Sequence, residues 1–422
     1  DFIQNLKIRA SFGELGNSNV SPYSYLEAFS WGTSGRYLNG TANLRTTTSP
    51  SIVPDNIGWE RSRTFDVGVD ADFFRGRLSV VADYYIRRTL DMYTVGPTLP
   101  DTFGASSPKG NYADMSTYGW EFSVSWNDSF NLGGKPFDYG IKATLADYYS
   151  IIDRYNNDTR KISDYYAGMR VGQIWGFVCN GLFQNQAEID AAFDGLGYKN
   201  TYAAISQDYA TYPGHMKIED LNHNHTIDVG ANTVDDPGDR RIIGNSEPRY
   251  IYSFNLNGSW NGIFASAFFQ GVGKQDWYPG KECPFWGQYN RPYNYALDWM
   301  IGNYWTPENP DAYLPLYSAY NDMARANENT RYLQNVAYIR LKNVQLGYNL
   351  PKKWMKKLHL SNMSVYFSGE NLWTWSPLYK WTKDFDVLTL TKDSDKDLND
   401  GRGSGHNYPT MRTFSFGITI TY

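Results

Sequence analysis

The chain of 422 residues carries a mild net charge of −5 and only two cysteines, Cys179 and Cys283. This charge argues against a nucleic-acid partner, and the absence of a Cys-x-x-Cys pair excludes zinc-ribbon and thiol-redox motifs. The two cysteines could form a disulfide or stay as thiols. Aromatic residues make up 17% of the sequence and 38 residues are glycine, which is typical of an all-β protein with many turns. No apolar run reaches the roughly 18 residues of a transmembrane helix.

Alternation of apolar and polar residues predicts β-strands from the start of the chain. In "LKIRASF", Leu6, Ile8, Ala10 and Phe12 alternate with polar residues. Because a strand is already under way there, we interpret residues 1–422 as the C-terminal part of a longer protein. The same pattern, weakest at 263–274, predicts strands at 22–33, 64–74, 77–86, 119–126, 137–146, 252–260, 263–274, 334–349, 361–374 and 411–422. The total is about eleven strands.

The links between these strands alternate in length. Short links fall at 15–21, 74–77, 128–136, 260–263 and 350–360, and long ones at 34–59, 95–114, 153–247, 275–333 and 375–410. Outer-membrane barrels have short periplasmic turns and long extracellular loops. A soluble β-sandwich or propeller would give the same alternation within each strand, but it has no reason to place every long loop at one end. We therefore predict an all-β fold, a transmembrane antiparallel β-barrel with long extracellular loops.

The predicted strand number, about eleven, is odd. Bacterial single-chain barrels have even strand numbers, so an odd count predicts that further strands complete the barrel. A last strand that ends at the periplasmic side runs inward, which places the C-terminus there. With eleven strands, the first strand would also run inward and the sequence would start at an extracellular loop.

The chain ends in "TFSFGITITY", an alternating strand that stops on an aromatic residue. An aromatic residue at that position fits the girdle of aromatic side chains at a membrane interface. The alternating residues are Phe414, Phe416, Ile418, Ile420 and Tyr422.

Several segments together resemble the C-terminal half of SusC/RagA-type TonB-dependent transporters. They are "LKIRASFGELGNSNV", "IGWERSRTFDVGVDADFFRGRLSVVADYYIRRTLDM", "YGWEFSVSW", "GQIWGFVCNGLFQNQAEID", "DRRIIGNSEPRYIYSFNLNGSWNGIFASAFFQG", "YIRLKNVQLGYNLPKKWMKKL" and "VYFSGENLWTW". Each motif is loose alone, but they follow one another in the expected order along the whole chain.

The resemblance implies a 22-stranded outer-membrane barrel of the Bacteroidota, of which this sequence supplies about half. It implies active import of oligosaccharides or peptides, driven by TonB, with a SusD-like surface lipoprotein as lid. The plug domain and the TonB-contacting segment are not in this sequence, so we expect the remaining half of the barrel and the plug as partners. The resemblance also implies that the terminal residues 414–422 act as the barrel-assembly signal.

One loop suggests a calcium site. "DLNHNHTID" places Asp220, Asn222, Asn224, Thr226 and Asp228 at positions 1, 3, 5, 7 and 9 of an EF-hand-like loop, where calcium takes oxygen ligands. The last carboxylate would be Asp239, displaced by an insertion. In the form of this loop that the family resemblance implies, the position of His225 is a glycine. The alternative is an Asx-rich loop that bonds to its own backbone. A transition metal at His223 and His225 is a further alternative.

The long link 275–333 is rich in aromatic residues, and flat aromatic faces stack on sugars or line peptide sites. Trp286, Tyr289 and Tyr293 are the candidate substrate contacts. The alternative is that this loop packs its own aromatic residues or docks the lid protein. Residues 187–194 are predicted to form a short surface helix, and the basic "PKKWMKKL" segment is expected at the periplasmic end.

No nucleophile–base constellation stands out, so we expect no enzyme. Two other functions stay open beside import. One is a structural barrel component of a larger outer-membrane complex that transports nothing. The other is a soluble β-rich module that binds glycans.

Overall fold

Ten strands form one antiparallel sheet in which neighbours in sequence are neighbours in space. The computed structural model describes residues 2–18, 20, 23–34, 44–47, 52–53, 57–97, 99–100, 102, 107–193, 212–280, 283–289, 295–318, 325, 327–390 and 408–422. The strands are β1 (Ile3–Asn17), β2 (Glu60–Phe73), β3 (Leu78–Val95), β4 (Lys109–Leu132), β5 (Lys135–Arg154), β6 (Arg249–Trp260), β7 (Ile263–Lys274), β8 (Tyr338–Asn349), β9 (Asn362–Trp375) and β10 (Thr413–Thr421).

The predicted strand at 22–33 is not part of this sheet, so the count of about eleven is corrected to ten in the described chain. Only Trp31–Ser34 is extended there, and it pairs with Leu44–Thr47 in a separate two-stranded sheet. The preceding segment turns at Tyr23, which has a φ of 64°. β1 pairs directly with β2. With ten strands, β1 begins at the short-link end of the sheet, not at the long-loop end.

The alternation of short and long links is confirmed after this correction. Short links join β2–β3, β4–β5, β6–β7 and β8–β9, and the long ones span 18–59, 96–108, 155–248, 275–337 and 376–412. The β6–β7 turn is the Asn-Gly hairpin that the sequence predicts, with φ of 49° at Asn261 and 90° at Gly262. Both residues tolerate the left-handed conformation that a tight hairpin turn needs.

Each strand carries one apolar and one polar face, because side chains point to alternate sides of a sheet. On the apolar face, one row runs across five strands as Phe12, Phe65, Ile86, Tyr118 and Tyr149. These apolar rows are open to the surroundings: Phe12 is 71% exposed and Phe416 is 86% exposed. An exposed apolar surface of this extent is typical of a membrane or protein contact.

In the described part of the chain, two short helices lie in the links. α1 (Gln186–Phe193) matches the predicted surface helix, and the Asn185 side chain caps it by accepting a bond from Glu188 N at 2.9 Å. α2 (Lys352–Leu358) forms the β8–β9 link and ends at His359, which has a φ of 54°. Among the described residues, no helix is long and apolar enough to cross a membrane.

The long links contain the other regular elements, all of them short. Among the residues with described structure, 3₁₀ helices occur at Pro284–Tyr289, Asp298–Met300 and Pro377–Lys380. Paired short strands are Gln173–Phe177 with Arg240–Asn245, Cys179–Leu182 with Met216–Ile218, Asp276–Trp277 with Gln334–Asn335, and Tyr304–Trp305 with Leu314–Leu316.

The hydrophobic core of the chain lies in the long links rather than in the sheet. One contiguous cluster takes buried residues from the links 155–248, 275–337 and 376–412. We call this cluster the loop core. Its fully buried members include Phe183, Phe285, Leu314 and Tyr332. A sheet with an open apolar face does not bury a core of its own, so the loop core is the packed body of the structure.

Candidate functional site

The loop core rests on the polar face of the sheet at its long-link end. Val272 of β7 and Tyr338 of β8 are opposite each other in register and belong to the loop core, with Ile251 of β6 packed against it. These residues lie on the side opposite the exposed apolar rows. The long links therefore fold over the polar face and cover one end of it.

Backbone and side-chain bonds tie the links 155–248 and 275–337 together. Phe177 N donates to Glu328 O at 2.8 Å, and Thr330 N donates back to Phe177 O at 3.0 Å. The Trp305 indole N–H donates to the Gln184 side chain at 3.1 Å. The two links therefore form one folded unit.

An aromatic stack joins the link 376–412 to this unit. The rings of Tyr313 and Trp381 lie 3.9 Å apart and nearly parallel, at 11°. Burial raises the pKa of Tyr313 to about 12, so its hydroxyl stays protonated and accepts a 2.7 Å bond from Gln334. This stack holds the link 376–412 against the link 275–337.

Two of the three predicted substrate contacts are core residues, and for them the prediction is corrected. Trp286 is 1% exposed and Tyr289 is 2% exposed. The Trp286 indole N–H donates to Gly280 O at 3.0 Å, and the Tyr289 hydroxyl donates to Pro315 O at 2.9 Å. Since their polar atoms are used and their rings are enclosed, they pack the loop rather than face a ligand. Tyr293 lies outside the described residues.

A buried ion pair anchors the link 376–412 to the sheet. Arg340 of β8 is 4% exposed and contacts Asp386, which is 8% exposed. Arg340 also donates to Thr374 Oγ1 at 2.7 Å, and Asp386 accepts from Thr410 N at 2.8 Å. The pair joins segments 46 residues apart. The sequence gives no local signal for it, apart from an arginine in an otherwise alternating strand.

A second charge network crosses the polar face of β1–β3. Arg9 binds the Asp70 carboxylate with both Nε and Nη2 and reaches Asp83 at 2.9 Å. Gly68 lies beneath this bridge, and a Cβ there would approach Asp83 Oδ1 to 2.1 Å. Glycine is therefore the residue that lets Arg9 cross β2 to β3. A glycine within "DVGVD" is the signal that sequence reasoning missed.

The predicted calcium loop has the backbone shape of such a site, but its oxygens bind its own backbone. His225 has a φ of 63°, the conformation expected of the turn glycine. Asp220 accepts from His225 N at 2.9 Å, Asn222 from Asn224 N at 3.0 Å, and Asn224 from Thr226 N at 2.7 Å. This is the Asx-rich arrangement that the sequence left open.

Asp239 is the buried end of this loop. It is fully buried and accepts from Leu221 N and Asp228 N, both at 2.8 Å. Burial raises its pKa despite these backbone donors. Within the part of the chain that the structure describes, no three His, Cys, Asp or Glu side chains gather as a metal-ligand set. Calcium also takes amide and backbone carbonyl oxygens, so Asp220, Asn222, Asn224 and Asp228 remain the candidate ligands.

Calcium binding stays a prediction that a direct titration checks. We expect millimolar calcium to raise the melting temperature of the full-length protein relative to chelator, because extracellular calcium modules bind at about 10⁻⁴–10⁻³ M. Asp228→Asn should remove the shift, whereas Asp235→Asn, on an exposed side chain nearby, should keep it. Equal melting temperatures with calcium and with chelator would contradict calcium binding.

The predicted terminal strand is confirmed as β10, at one edge of the sheet. Its apolar residues share the apolar face, where Phe416 packs against Phe367 with ring centroids 5.1 Å apart. Tyr422 follows the strand and is 92% exposed. The edge strand thus presents the row of Phe414, Phe416, Ile418, Ile420 and Tyr422 to its surroundings.

A single charge on this row tests the assembly role of the strand. We expect Phe416→Asp, and deletion of Tyr422, to lower the amount of receptor in the outer membrane, because a charge on the lipid face opposes insertion. Ser415→Asp places the same charge on the polar face and should be tolerated. Heat-modifiable gel mobility measures insertion. Normal levels of the Phe416 variant would contradict the prediction.

The two cysteines are both free thiols in the structure, with Cys283 buried and Cys179 partly buried. Burial raises the pKa of the Cys179 thiol. A raised pKa keeps the thiol protonated and unreactive at neutral pH.

No protein-family model matches the sequence. The chain is 26% identical over its full length to the TonB-dependent receptor P3 of Formosa agariphila, of which it covers 40%. It is 21% identical to the TonB-dependent receptor SusC of Bacteroides thetaiotaomicron, again over the full chain and 38% of the relative. These matches confirm the predicted resemblance to the C-terminal half of SusC/RagA-like TonB-dependent receptors. It spans about 40% of the length of the curated relatives it matches.

Solved structures show the same fold as this receptor chain. The RagAB peptide importer in its open-open state superposes with a TM-score of 0.68, at 19% identity, over all of this chain and 40% of that one. The structure of the RagAB peptide transporter gives 0.68 at 17% identity, over all of this chain and 41% of that one. TonB-dependent receptors are outer-membrane β-barrel proteins. The ten-stranded sheet of the SusC/RagA-like chain is therefore barrel wall, with its apolar face toward lipid and its polar face toward the lumen.

Proposed function

We propose that this chain forms the loop-bearing wall of an importer that takes up oligosaccharides or peptides through TonB-dependent transport. The observation that carries the proposal is the loop core, which folds over the polar face at the long-link end of β6–β8. A barrel that served only as a membrane anchor would need no packed cover over its lumen. A cover at the mouth suits a transporter that receives cargo from outside.

The partners of this importer are part of the same proposal. A SusD-like surface lipoprotein would sit over the long links, and TonB would act through a plug domain held by the rest of the receptor. The ion-pair network of Arg9, Asp70 and Asp83 faces the lumen, where a plug would lie. The C-terminus, at the short-link end, is proposed to lie on the periplasmic side.

The rival function is a structural barrel component of a surface complex without transport. Deletion of the full receptor gene in its host separates the two. We expect the deletion strain to lose growth on one class of cargo, oligosaccharide or peptide, when that class is the sole carbon or nitrogen source. The same loss should follow depletion of TonB. Unchanged growth and uptake on both classes would favour the structural component.

A matched pair of variants links uptake to the loop core. Trp286→Ala opens the core, whereas Tyr295→Ala alters an 87% exposed residue of the same link. We expect uptake to fall in the first strain and to persist in the second, with equal amounts of receptor in the outer membrane.

A further inference from the structure

The apolar face of β1–β4 ends abruptly toward the long links. The row of Phe12, Phe65, Ile86 and Tyr118 is entirely apolar or aromatic. Two residues further along each strand, the next row reads Glu14, Arg63, Arg88 and Ser116. Two residues of a strand span about 7 Å. The lipid-facing surface therefore changes from apolar to charged within about 7 Å, with one arginine more than the acidic residue Glu14 balances.

Two arginines of this row stand directly opposite each other. Arg63 of β2 pairs with Arg88 of β3 in the register, and like charges in direct opposition destabilise a sheet. Glu14 neutralises Arg63 from the other side, with Nε to Oε2 at 2.7 Å. Arg88 is exposed and makes no ion pair among the residues that the structure describes. An anion lying over the two guanidinium groups would relieve their repulsion.

A cavity of about 490 Å³ opens on the same face beyond the arginine row. Its wall contains Trp59, Tyr112 and the ion pair of Arg61 with Asp91, whose atoms are 2.6 Å apart. The Trp59 ring lies over Gly16, where a Cβ would approach it to 2.5 Å, and the ring is still 67% exposed. An exposed aromatic ring beside charged and amide groups is the chemistry that binds a sugar.

The cavity is built by an amide clamp. Asn111 Oδ1 accepts from Gly58 N at 2.7 Å, and its Nδ2 donates to Gly58 O at 3.0 Å and to Asp91 O. One side chain thus fixes the segment before β2 against β3 and β4. The position of Trp59 is set in advance rather than created by a ligand, which lowers the cost of binding.

We infer that this face binds the headgroup of a phosphorylated glycolipid of the outer leaflet. Arg63 and Arg88 hold its phosphate, and the cavity beside Trp59 and Asn111 holds its sugar. The acyl chains lie along the row of Phe65 and Ile86. Along the strands the surface runs from the apolar row through the arginine row to the cavity, so the phosphate site lies between the hydrocarbon contact and the sugar site.

The position of the surface favours a lipid over soluble cargo. Arg63 and Arg88 are on the lipid side of the wall, since they share the face of Phe65 and Ile86. Cargo that enters the lumen does not pass them. Basic side chains next to a membrane attract anionic headgroups. The inference does not depend on which cargo is imported or on whether transport occurs.

Binding of lipid A to the full receptor in detergent tests the inference. The probes are bisphosphorylated lipid A, its dephosphorylated form and inorganic phosphate. We expect the phosphorylated lipid to bind the wild type, and the double variant Arg63→Gln/Arg88→Gln to bind it about tenfold or more weakly. Trp59→Ala should weaken binding of both lipid forms. Arg87→Gln, on the opposite face of β3, is the matched control and should bind as the wild type.

Each outcome of this experiment decides for or against the inference. Heat-modifiable mobility first confirms that all variants are inserted and folded. Equal affinity of the double variant and the wild type would overturn the phosphate contact. Equal affinity of the wild type for the phosphorylated and the dephosphorylated lipid would also overturn the phosphate contact. Competition by inorganic phosphate at the lipid's own concentration would show an adventitious anion site, not a glycolipid site.

Discussion

Replacing Arg340 with methionine is expected to detach the link 376–412 from the barrel wall. The change leaves Asp386 buried without its cation, and breaking a buried pair on one side costs about 3–5 kcal/mol. Hydrogen exchange of the full receptor should show lost protection at Leu388 and Thr410, whose amides donate to Asp386. The strands themselves should keep their protection, because the pair joins the link to β8 and not the strands to each other.

Two further variants make this expectation specific. Arg412→Met removes an exposed arginine from the same link and should leave exchange unchanged. Arg340→Met combined with Asp386→Leu removes both charges, and much of the protection should return, since an apolar pair can replace a buried ion pair. Unaltered exchange in the single Arg340 variant would contradict an anchoring role.

Acid should release the same link in the wild type. Burial acts to raise the pKa of Asp386, but the bonds from Arg340 and Thr410 outweigh it, and the pKa lies below its ordinary 3.8. A depressed carboxyl pKa contributes stability above the ordinary value and loses it as pH falls through the folded value. The protection of the Thr410 amide, relative to an unstructured amide at the same pH, should therefore fall on acidification below about pH 3.8. In Arg340→Met this protection should already be low at neutral pH.

Trp286→Ala is expected to have an effect of similar size, through the loop core. Trp286 is 1% exposed and its ring contacts Phe285 and Tyr332 at centroid distances of 5.2 and 5.6 Å. Truncating a large buried aromatic side chain costs about 3–5 kcal/mol. Exchange should accelerate throughout the loop core, including Tyr332. Tyr295→Ala should leave it unchanged.

A conservative variant distinguishes packing from ligand contact. Trp286→Phe keeps most of the ring volume but loses the indole bonds to Pro279 O and Gly280 O. If Trp286 only packs, Trp286→Phe should restore most of the exchange protection and most of the uptake. Restored protection with abolished uptake would show that the indole contacts cargo after all.

The strands could be predicted because their alternation is a local signal. Nine of the sheet strands follow patterns such as that of Phe65, Val67 and Val69, which need no partner to be recognised. The first strand is found in the same way. The segment 22–33 was wrongly counted as a sheet strand, because apolar residues near Tyr25 and Phe29 suggest a strand. In the structure the chain turns at Tyr23, and Trp31–Ser34 pairs in a separate two-stranded sheet.

The loops could not be predicted in the same way. Trp286 and Tyr289 have the composition of a ligand surface, but composition does not say which rings are enclosed. Their burial is set by residues far away in sequence, such as Tyr332 and Pro315. Arg340 and Asp386 form a pair over 46 residues, for which one sequence gives no spacing rule.

For the candidate calcium loop, the sequence pattern leaves two arrangements open. Its residue types and spacing are those of a calcium site, and the backbone takes the matching turn at His225. However, the same carboxylates and amides also stabilise a turn without an ion, by accepting from backbone N–H groups. The pattern alone does not separate these two uses of oxygen.

The shared loop core limits how the long links of this chain can be exchanged. Three links contribute to one packed interior, and Tyr313 of one link stacks on Trp381 of another. Exchanging a single link for that of a relative would leave holes or clashes in the other two. Retargeting by grafting, in the laboratory or by recombination between genes, should succeed when residues 155–248, 275–337 and 376–412 are moved as a set.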